Sequence, residues 1–294
     1  MNAAARRVRG KKQNMEIEVI HLCKETGRYI QRVRGGEPPE ICWEEEVLSA
    51  CWERLCRYAP FDLSERKPKA IRNISALERQ CKLLESLDVR ALKRRFERIA
   101  SALPSNDDVT VAIFPGDPDD ATVNERHNGV VGGSTFGNMY IRANPCVEGY
   151  EDWIGYVFAH EYHHAVWGNY WYVLHGGELE NKLIDALVIE GEADCFALDF
   201  YPMLKPQWLF GMTEAEIAAI WEEKYRPAAE KTDVDDETYM FGSAAQGIPW
   251  CAGYAVGYRL VKAYLSAVGK SAAEILEIRP EQLLRELTEM GRWK

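Results

Sequence analysis

The stretch that decides the fold is residues 153–164, which read Trp-Ile-Gly-Tyr-Val-Phe-Ala-His-Glu-Tyr-His-His. Its last five residues form the pattern His-Glu-x-x-His within an apolar helix. Because residues four apart lie on one helix face, His160 and His164 can present two imidazoles to one zinc ion. Glu161 is rotated by about 100° from His160 and can reach a metal-bound water without being a ligand. The pattern therefore predicts a zinc site in which Glu161 acts as general base.

A third protein ligand is expected on the next long helix, in the segment Glu190-Gly-Glu-Ala-Asp. Glu190 follows His164 by 26 residues, which allows one connection and a return helix. Asp194 lies one turn beyond Glu190 and can accept a hydrogen bond from a zinc histidine, which fixes the tautomer of that ring. Glu192 is rotated by about 200° from Glu190 and is a weaker candidate. Since the helix is otherwise apolar, an acidic pair on it needs a partner.

Two other ligand assignments stay open. His163 could replace one of the motif histidines, and His175 could be the third ligand. The longer pattern His-Glu-x-x-His-x-x-Gly-x-x-His fails, because Gly168 stands one residue late and Tyr170 follows it. The assignment to Glu190 is therefore preferred.

The motif and the acidic segment together resemble the gluzincin, or thermolysin-like, type of zinc metallopeptidase. The chain is more similar to a bacterial family of predicted zinc-dependent proteases that is labelled a domain of unknown function. Four segments carry this resemblance, namely residues 160–164, 190–194, 239–242 and 248–258. It covers roughly residues 105–270. The resemblance implies a zincin-like domain, one zinc ion and a peptide or protein substrate, and at Glu192 an apolar residue is more usual.

Tyr254 and Tyr258 are the candidates for stabilising the oxyanion, since a phenol or a cation near the metal usually has this role. They stand four residues apart on a predicted helix, with Gly253 and Gly257 beside them. Aromatic residues at this spacing are also typical of a helix face that packs into the protein core. The resemblance indicates that the segment faces the site without choosing between the two.

The pattern of secondary structure around the motif predicts an α+β protein. Strands are expected over residues 15–22 and 109–114, and one or two more over the glycine-rich residues 130–143. Helices are expected over residues 40–58, 70–86, 88–102, 152–167, 178–200, 213–229 and 250–268, with two short elements near 271–290.

The main boundary is placed after Pro104, where a polar cluster closes the first helical region. It divides the chain into a disordered basic tail (residues 1–14), an N-terminal strand and helical region (15–104) and a zincin-like catalytic domain (105–294), in which a small mixed or antiparallel sheet accompanies a helical active-site core. No role is assigned to the N-terminal region.

Two segments are considered for substrate binding. An extended peptide can add to a sheet edge through main-chain hydrogen bonds, and residues 136–142 are the likeliest edge. A plain hairpin explains their glycines equally well. Residues 231–247 show no helical or strand period and are either a mobile flap or, more simply, a solvated acidic loop.

Charge is distributed unevenly along the chain, whose net charge is −10. Residues 105–294 carry 14 Lys and Arg against 31 Asp and Glu. Such a surface repels phosphate backbones, so no nucleic-acid partner is expected, and a neutral or cationic substrate is tolerated better. No apolar run is long enough for a membrane span or a signal peptide, which predicts a cytoplasmic protein with no membrane partner. The oligomeric state stays open.

Three functional hypotheses follow. The leading one is a zinc-dependent endopeptidase or aminopeptidase. The second is a zinc-binding regulatory or interaction protein that keeps the fold but has little peptidase activity. The third is a partner or nucleic-acid module on the basic N-terminal helices, against which the interleaved acidic residues favour an ordinary solvated face.

Overall fold

The structure, a computed structural model, describes residues 15–105, 107–177, 179 and 181–293. The basic tail predicted over residues 1–14 lies outside these described residues. Within them, no helix combines the length and the apolar character that a bilayer span needs.

A four-stranded mixed sheet lies at the centre of the fold. Its strands are β1 (Ile17–His21), β2 (Val109–Pro115), β3 (Val130–Ser134) and β4 (Met139–Ala143), in the spatial order β1-β2-β4-β3. β1 and β4 run parallel to β2, and β3 runs antiparallel to β4. The prediction that residues 136–142 form the edge is wrong, because β4 lies between β2 and β3. The two edge strands are β1 and β3, and β3 is the one that lies beside α7.

Among the described residues, five α-helices connect β1 to β2: α1 (Cys23–Arg34), α2 (Pro39–Cys42), α3 (Trp52–Leu55), α4 (Ile74–Leu84) and α5 (Val89–Ala102). The last two agree with the prediction, and each begins at a side chain that caps it, Asn73 and Asp88. The continuous helix predicted over residues 40–58 is wrong, since a π-helical segment and a turn separate α2 from α3. The sequence reading also missed α1, whose buried face contains only a few large apolar side chains.

The remaining helices follow β2. They are α6 (Ala121–Arg126), α7 (Tyr150–Gly168), α8 (Leu183–Phe200), α9 (Gln207–Phe210), α10 (Glu214–Ile220), α11 (Asp236–Phe241), α12 (Ala252–Val268) and α13 (Pro280–Glu289). The helix predicted over residues 213–229 is shorter, because α10 continues only as a π-helical turn to Tyr225. Residues 231–247 are not a plain loop, since they contain α11.

The packing of three helices positions the site. α7 lies against β3 and β4 on one side and against α8 on the other, and α8 packs against α12. α8 and α12 cross at Gly191 and Gly257, where a Cβ on either residue would overlap a backbone carbonyl of the opposite helix. Only glycine permits this close approach. The crossing therefore holds the first turns of α12 beside the acidic segment of α8.

A cluster of buried apolar side chains connects the N-terminal helices, the sheet and the helices α7 and α8. The α+β class with a small mixed sheet is therefore confirmed. The domain boundary near residue 104 stays a prediction. β1, which precedes this boundary, pairs with β2, which follows it. Six of the eight cysteines are buried in the fold, and all eight are free thiols.

Candidate metal centre

Three potential ligands converge where α7 meets α8. His160 and His164 lie one turn apart on α7, with their Nε2 atoms 2.9 Å apart. The Oε2 atom of Glu190, from α8, lies 3.2 Å from Nε2 of His160 and 3.3 Å from Nε2 of His164. All three side chains are partly exposed. The structure thus brings together the two motif histidines and the carboxylate that the sequence favoured as third ligand.

The donor set and its spacing fit a zinc ion. Ligands at about 2.0–2.1 Å from a tetrahedral zinc ion lie about 3.3 Å from one another. The three distances in the cluster are close to this value, and two imidazoles with one carboxylate are a common ligand set of catalytic zinc. These residues therefore fit one zinc ion with a fourth position left for water or substrate.

Asp194 fixes the orientation of His160. Its Oδ1 atom lies 3.1 Å from Nδ1 of His160 and also accepts hydrogen bonds from the hydroxyl of Tyr156, at 2.6 Å, and from Nε1 of Trp208, at 3.4 Å. With a proton on Nδ1, the lone pair of His160 is on Nε2 and points at the cluster. Asp194 is completely buried, so this arrangement is shielded from water.

The electrostatics of the cluster favour a cation. Burial lowers the pKa of His160, but the carboxylates of Asp194 and Glu190 outweigh it, and the pKa lies well above its ordinary value. Burial raises the pKa of Glu190, but His164 and His160 lower it more strongly, and the pKa ends well below its usual range. The site therefore stabilises positive charge beside an ionised Glu190.

Glu161 is buried between α7 and the edge strand β3. The space beside its side chain exists because residue 132 is glycine: a Cβ there would lie 2.5 Å from Cγ of Glu161. Burial raises the pKa of Glu161, while the two histidines and the backbone N–H of Ser134 lower it in part. Its carboxyl group is thus held at the strand edge with an increased affinity for a proton.

Two cavities meet at this cluster. The first, of about 520 Å³, is bordered by the three ligands and by aromatic side chains of Phe136, Trp167, Tyr172, Phe241 and Tyr254, among others. The second, of about 370 Å³, extends past His160 and Glu161 to His127, Arg142, Tyr156 and Trp208, among others. Together they form a cleft along β3.

The two candidate tyrosines are in different surroundings. Tyr254 borders both cavities, and its ring lies 5.6 Å from that of Phe241. Burial, followed by the charge of Glu190, raises the pKa of Tyr254 well above its ordinary value, so the phenol keeps its proton at neutral pH. Tyr258 lies one turn further along α12, buried against Phe210. Of the two, only Tyr254 borders the cavities that contain the potential metal ligands.

The alternative ligands lie elsewhere. His163 is completely buried, with Nε2 3.6 Å from Oε2 of Glu192, which is also completely buried. His175 is exposed, and its Nδ1 lies 2.8 Å from the carbonyl oxygen of Tyr170. Within the described part of the chain, His160, His164 and Glu190 form the group of potential metal ligands.

Sequence reasoning missed several residues of the site. Tyr156 and Trp208 bind Asp194, and His127 stacks on Trp208 at 5.1 Å between ring centroids. Tyr156 stands four residues before His160, so helical spacing could have placed it on the same face. No local pattern marks Trp208 or His127, because they reach the site through long-range packing.

Comparisons with known proteins agree with this geometry. A family model described as "Predicted Zn-dependent protease (DUF2268)" matches residues 89–285. YjaZ of Bacillus subtilis (strain 168), described as an uncharacterized protein, is 30% identical over 132 residues, which are 44% of this chain and 48% of YjaZ. The chain thus spans about half the length of that relative, and no solved structure matches the chain. The family match confirms the resemblance to the bacterial family of predicted zinc-dependent proteases.

Proposed function

We propose that the chain, which belongs to the DUF2268 family of predicted Zn-dependent proteases, is a zinc-dependent peptide-bond hydrolase of the gluzincin type with a zincin-like fold. The observation that carries the proposal is the convergence of His160, His164 and Glu190 beside the buried carboxyl group of Glu161. One zinc ion in this site would act as a Lewis acid that polarises the scissile carbonyl and acidifies the attacking water. The proposed place of action is the cytoplasm.

Glu161 would act as general base and proton carrier. Its carboxyl group lies between the histidines and the backbone of β3, where it can accept a proton from the attacking water and later donate it to the leaving amine. The pKa raised by burial increases the affinity of the carboxylate for that proton. Gly132 and the N–H of Ser134 hold the group in place.

Two further residues would support the reaction. Asp194 keeps His160 in the tautomer whose Nε2 faces the ligand cluster, and Tyr156 and Trp208 hold Asp194 in turn. Tyr254 would donate a hydrogen bond to the oxyanion, since its phenol stays protonated and borders both cavities. Tyr258 has no part in the proposed mechanism.

The substrate would be an extended peptide or protein segment that lies along β3. This strand is the sheet edge next to Glu161, and its residues 131–134 are partly exposed. An edge strand offers main-chain donors and acceptors to a peptide backbone. The aromatic side chains of the first cavity would receive an apolar side chain of the substrate.

Zinc analysis combined with a cleavage assay tests this function. We expect one zinc ion per chain in the protein and in its Glu161→Gln variant, and peptide cleavage that is about 10²- to 10⁴-fold slower in the variant. Unfolded proteins and a mixed peptide library serve as substrates. A zinc-loaded variant as active as the original protein would contradict the role of Glu161. A zinc-loaded original protein that cleaves none of the substrates would favour the alternative, a zinc-binding regulatory or interaction protein.

A further inference from the structure

The second cavity is bordered by a cationic side chain that the proposed mechanism does not use. Arg142 stands on β4 and borders the cavity that also contains His160 and Glu161. Its Nε atom is buried and has no hydrogen-bond partner among the described residues. A buried donor without an acceptor is energetically unfavourable, and more so when the group is charged. This nitrogen of the guanidinium therefore lacks an acceptor among the described residues, and a ligand could supply one.

Three acidic side chains border a further cavity on which Arg142 lies, namely Glu65, Asp117 and Asp120. Asp120 accepts a hydrogen bond from the backbone N–H of Val123 at 3.0 Å, and Asp117 accepts one from the backbone N–H of Asp119 at 2.9 Å. These two carboxylates stabilise the start of α6 and the turn before it, and Glu65 is exposed. Among the described residues, no hydrogen bond or ion pair joins any of the three to Arg142.

The rest of the second cavity sets the environment of this cation. His127 is partly buried, and burial lowers its pKa, which favours the neutral imidazole. Val131, Tyr156 and Trp208 supply apolar wall. Among the described residues that border this cavity, Arg142 is thus the one that is cationic at every ordinary pH. A guanidinium in such surroundings binds carboxylates well, because its planar fork of donors matches two carboxylate oxygens.

We propose that Arg142 is a specificity-determining residue that binds a carboxylate of the peptide substrate in the cavity beside the metal centre. This inference rests on the proposed peptidase function. The carboxylate belongs either to an Asp or Glu side chain or to the C-terminal residue, and both offer the same pair of oxygens. The substrate preference is thus set by a local cation, although the surface as a whole is acidic. Ordinary salt screens charges beyond about 8–10 Å, so contact within the cavity outweighs the net charge.

Binding measurements test the role of Arg142 without depending on turnover. The protein is the zinc-loaded full chain carrying Glu161→Gln, and the probes are dansyl-labelled peptide amides of the sequence Ala-Ala-Phe-Ala-Ala-Ala, with Glu or Gln placed at each position in turn. At one position the Glu peptide should bind about tenfold or more tightly than the Gln peptide. The added Arg142→Met substitution should reduce this ratio to about one, and Arg142→Lys should keep part of it. The unsubstituted peptide as a free acid and as an amide tests the C-terminal carboxylate in the same way.

Two other arginines serve as matched controls. Arg66 is exposed and borders the first cavity, and Arg34 forms a surface ion pair with Glu78. Neither Arg66→Met nor Arg34→Met should change the carboxylate preference. A loss of preference in Arg66→Met but not in Arg142→Met would overturn the assignment, as would equal binding of the Glu, Gln, free-acid and amide probes.

Cleavage of the same peptides by the chain without the Glu161 substitution separates the two proposals. If the zinc-loaded protein binds Glu peptides through Arg142 but cleaves none, the hydrolase function fails and the carboxylate site stands. If it cleaves peptides with no preference for a carboxylate at any position, the hydrolase function stands and the role of Arg142 is refuted.

Discussion

Helices α7 and α8 carry two histidine–carboxylate arrangements that differ only slightly in sequence position. His160, His164 and Glu190 form the candidate metal centre, and His163 lies 3.6 Å from Glu192 in a completely buried pair. In the first, carboxylates raise the pKa of His160, and the histidines lower that of Glu190. In the second, burial lowers the pKa of His163 and raises that of Glu192, which favours the neutral form of each group.

The difference shows that surroundings, more than residue type, decide what a histidine and a carboxylate do. The candidate metal centre opens to two cavities and is supported by Asp194. The buried pair touches the ring of Phe196, and its side-chain polar atoms have no hydrogen-bond partner among the described residues. An open, converging group can bind a cation, whereas His163 and Glu192 are enclosed in the core and face each other at 3.6 Å.

The sharpest test of this comparison replaces neighbouring histidines. His164→Ala should remove a ligand and lower zinc affinity by more than the roughly 10- to 100-fold effect of losing a hydrogen-bond partner of a ligand. His163→Ala should keep stoichiometric zinc, since its ring faces Glu192. Competition with a fluorescent chelator measures both affinities. Equal loss of zinc in the two variants would show that the centre includes His163.

Substitutions of the two tyrosines of α12 test which phenol takes part in catalysis. Tyr254→Phe should lower kcat about 10²- to 10³-fold at unchanged zinc content, the effect of losing one oxyanion donor. Tyr258→Phe is the matched control and should leave kcat within about twofold, because this residue packs against Phe210. Steady-state cleavage of one fluorogenic peptide compares them. Equal rates in the two variants would remove Tyr254 from the mechanism.

A substitution at Asp194 tests how far zinc binding depends on the hydrogen bond that orients His160. Asp194→Asn should weaken zinc binding about 10- to 100-fold, because the amide stabilises the Nδ1–H tautomer of His160 less well. Asp199→Asn, on the exposed end of the same helix, is the control and should bind zinc like the original protein. Calorimetric titration of the metal-free proteins with zinc gives both constants. Unchanged affinity in Asp194→Asn would refute its orienting role.

The smallest effect is expected at the buried pair. His163→Leu or Glu192→Leu alone should destabilise the fold by about 1–3 kcal/mol, since each leaves one buried polar group without its neighbour. The double variant should be close to the original protein in stability, because no polar group is then left behind. Urea unfolding of the four proteins, all metal-free, measures this cycle. Additive losses in the double variant would mean that the two side chains do not interact.

The sequence predicted the features of the site that depend on local helical spacing. The positions of His160, Glu161 and His164 follow from helical spacing alone, and the acidic pair Glu190 and Asp194 stood out on an apolar helix. The family and the α+β class were also predicted and are confirmed.

The remaining features depend on strand order and tertiary packing. Residues 136–142 were expected at an edge because glycine in the segment permits close backbone approach, but the pairing of β4 with β2 cannot be predicted from a single strand. Trp208 and Arg142 reach the site from distant segments, and nothing next to them in the chain marks their role. Short helices such as α6 and α11 are too brief for a period to be visible.

The unpaired edge of β3 has a consequence for handling the protein. A strand that has no neighbouring strand on its outer side among the described residues can receive the same strand of a second molecule, and such pairing seeds aggregates. Gly132 and Gly133 place no bulky side chain in the way. Concentrated samples should therefore precipitate more readily than dilute ones, and a short extended inhibitor bound in the cleft should keep them in solution.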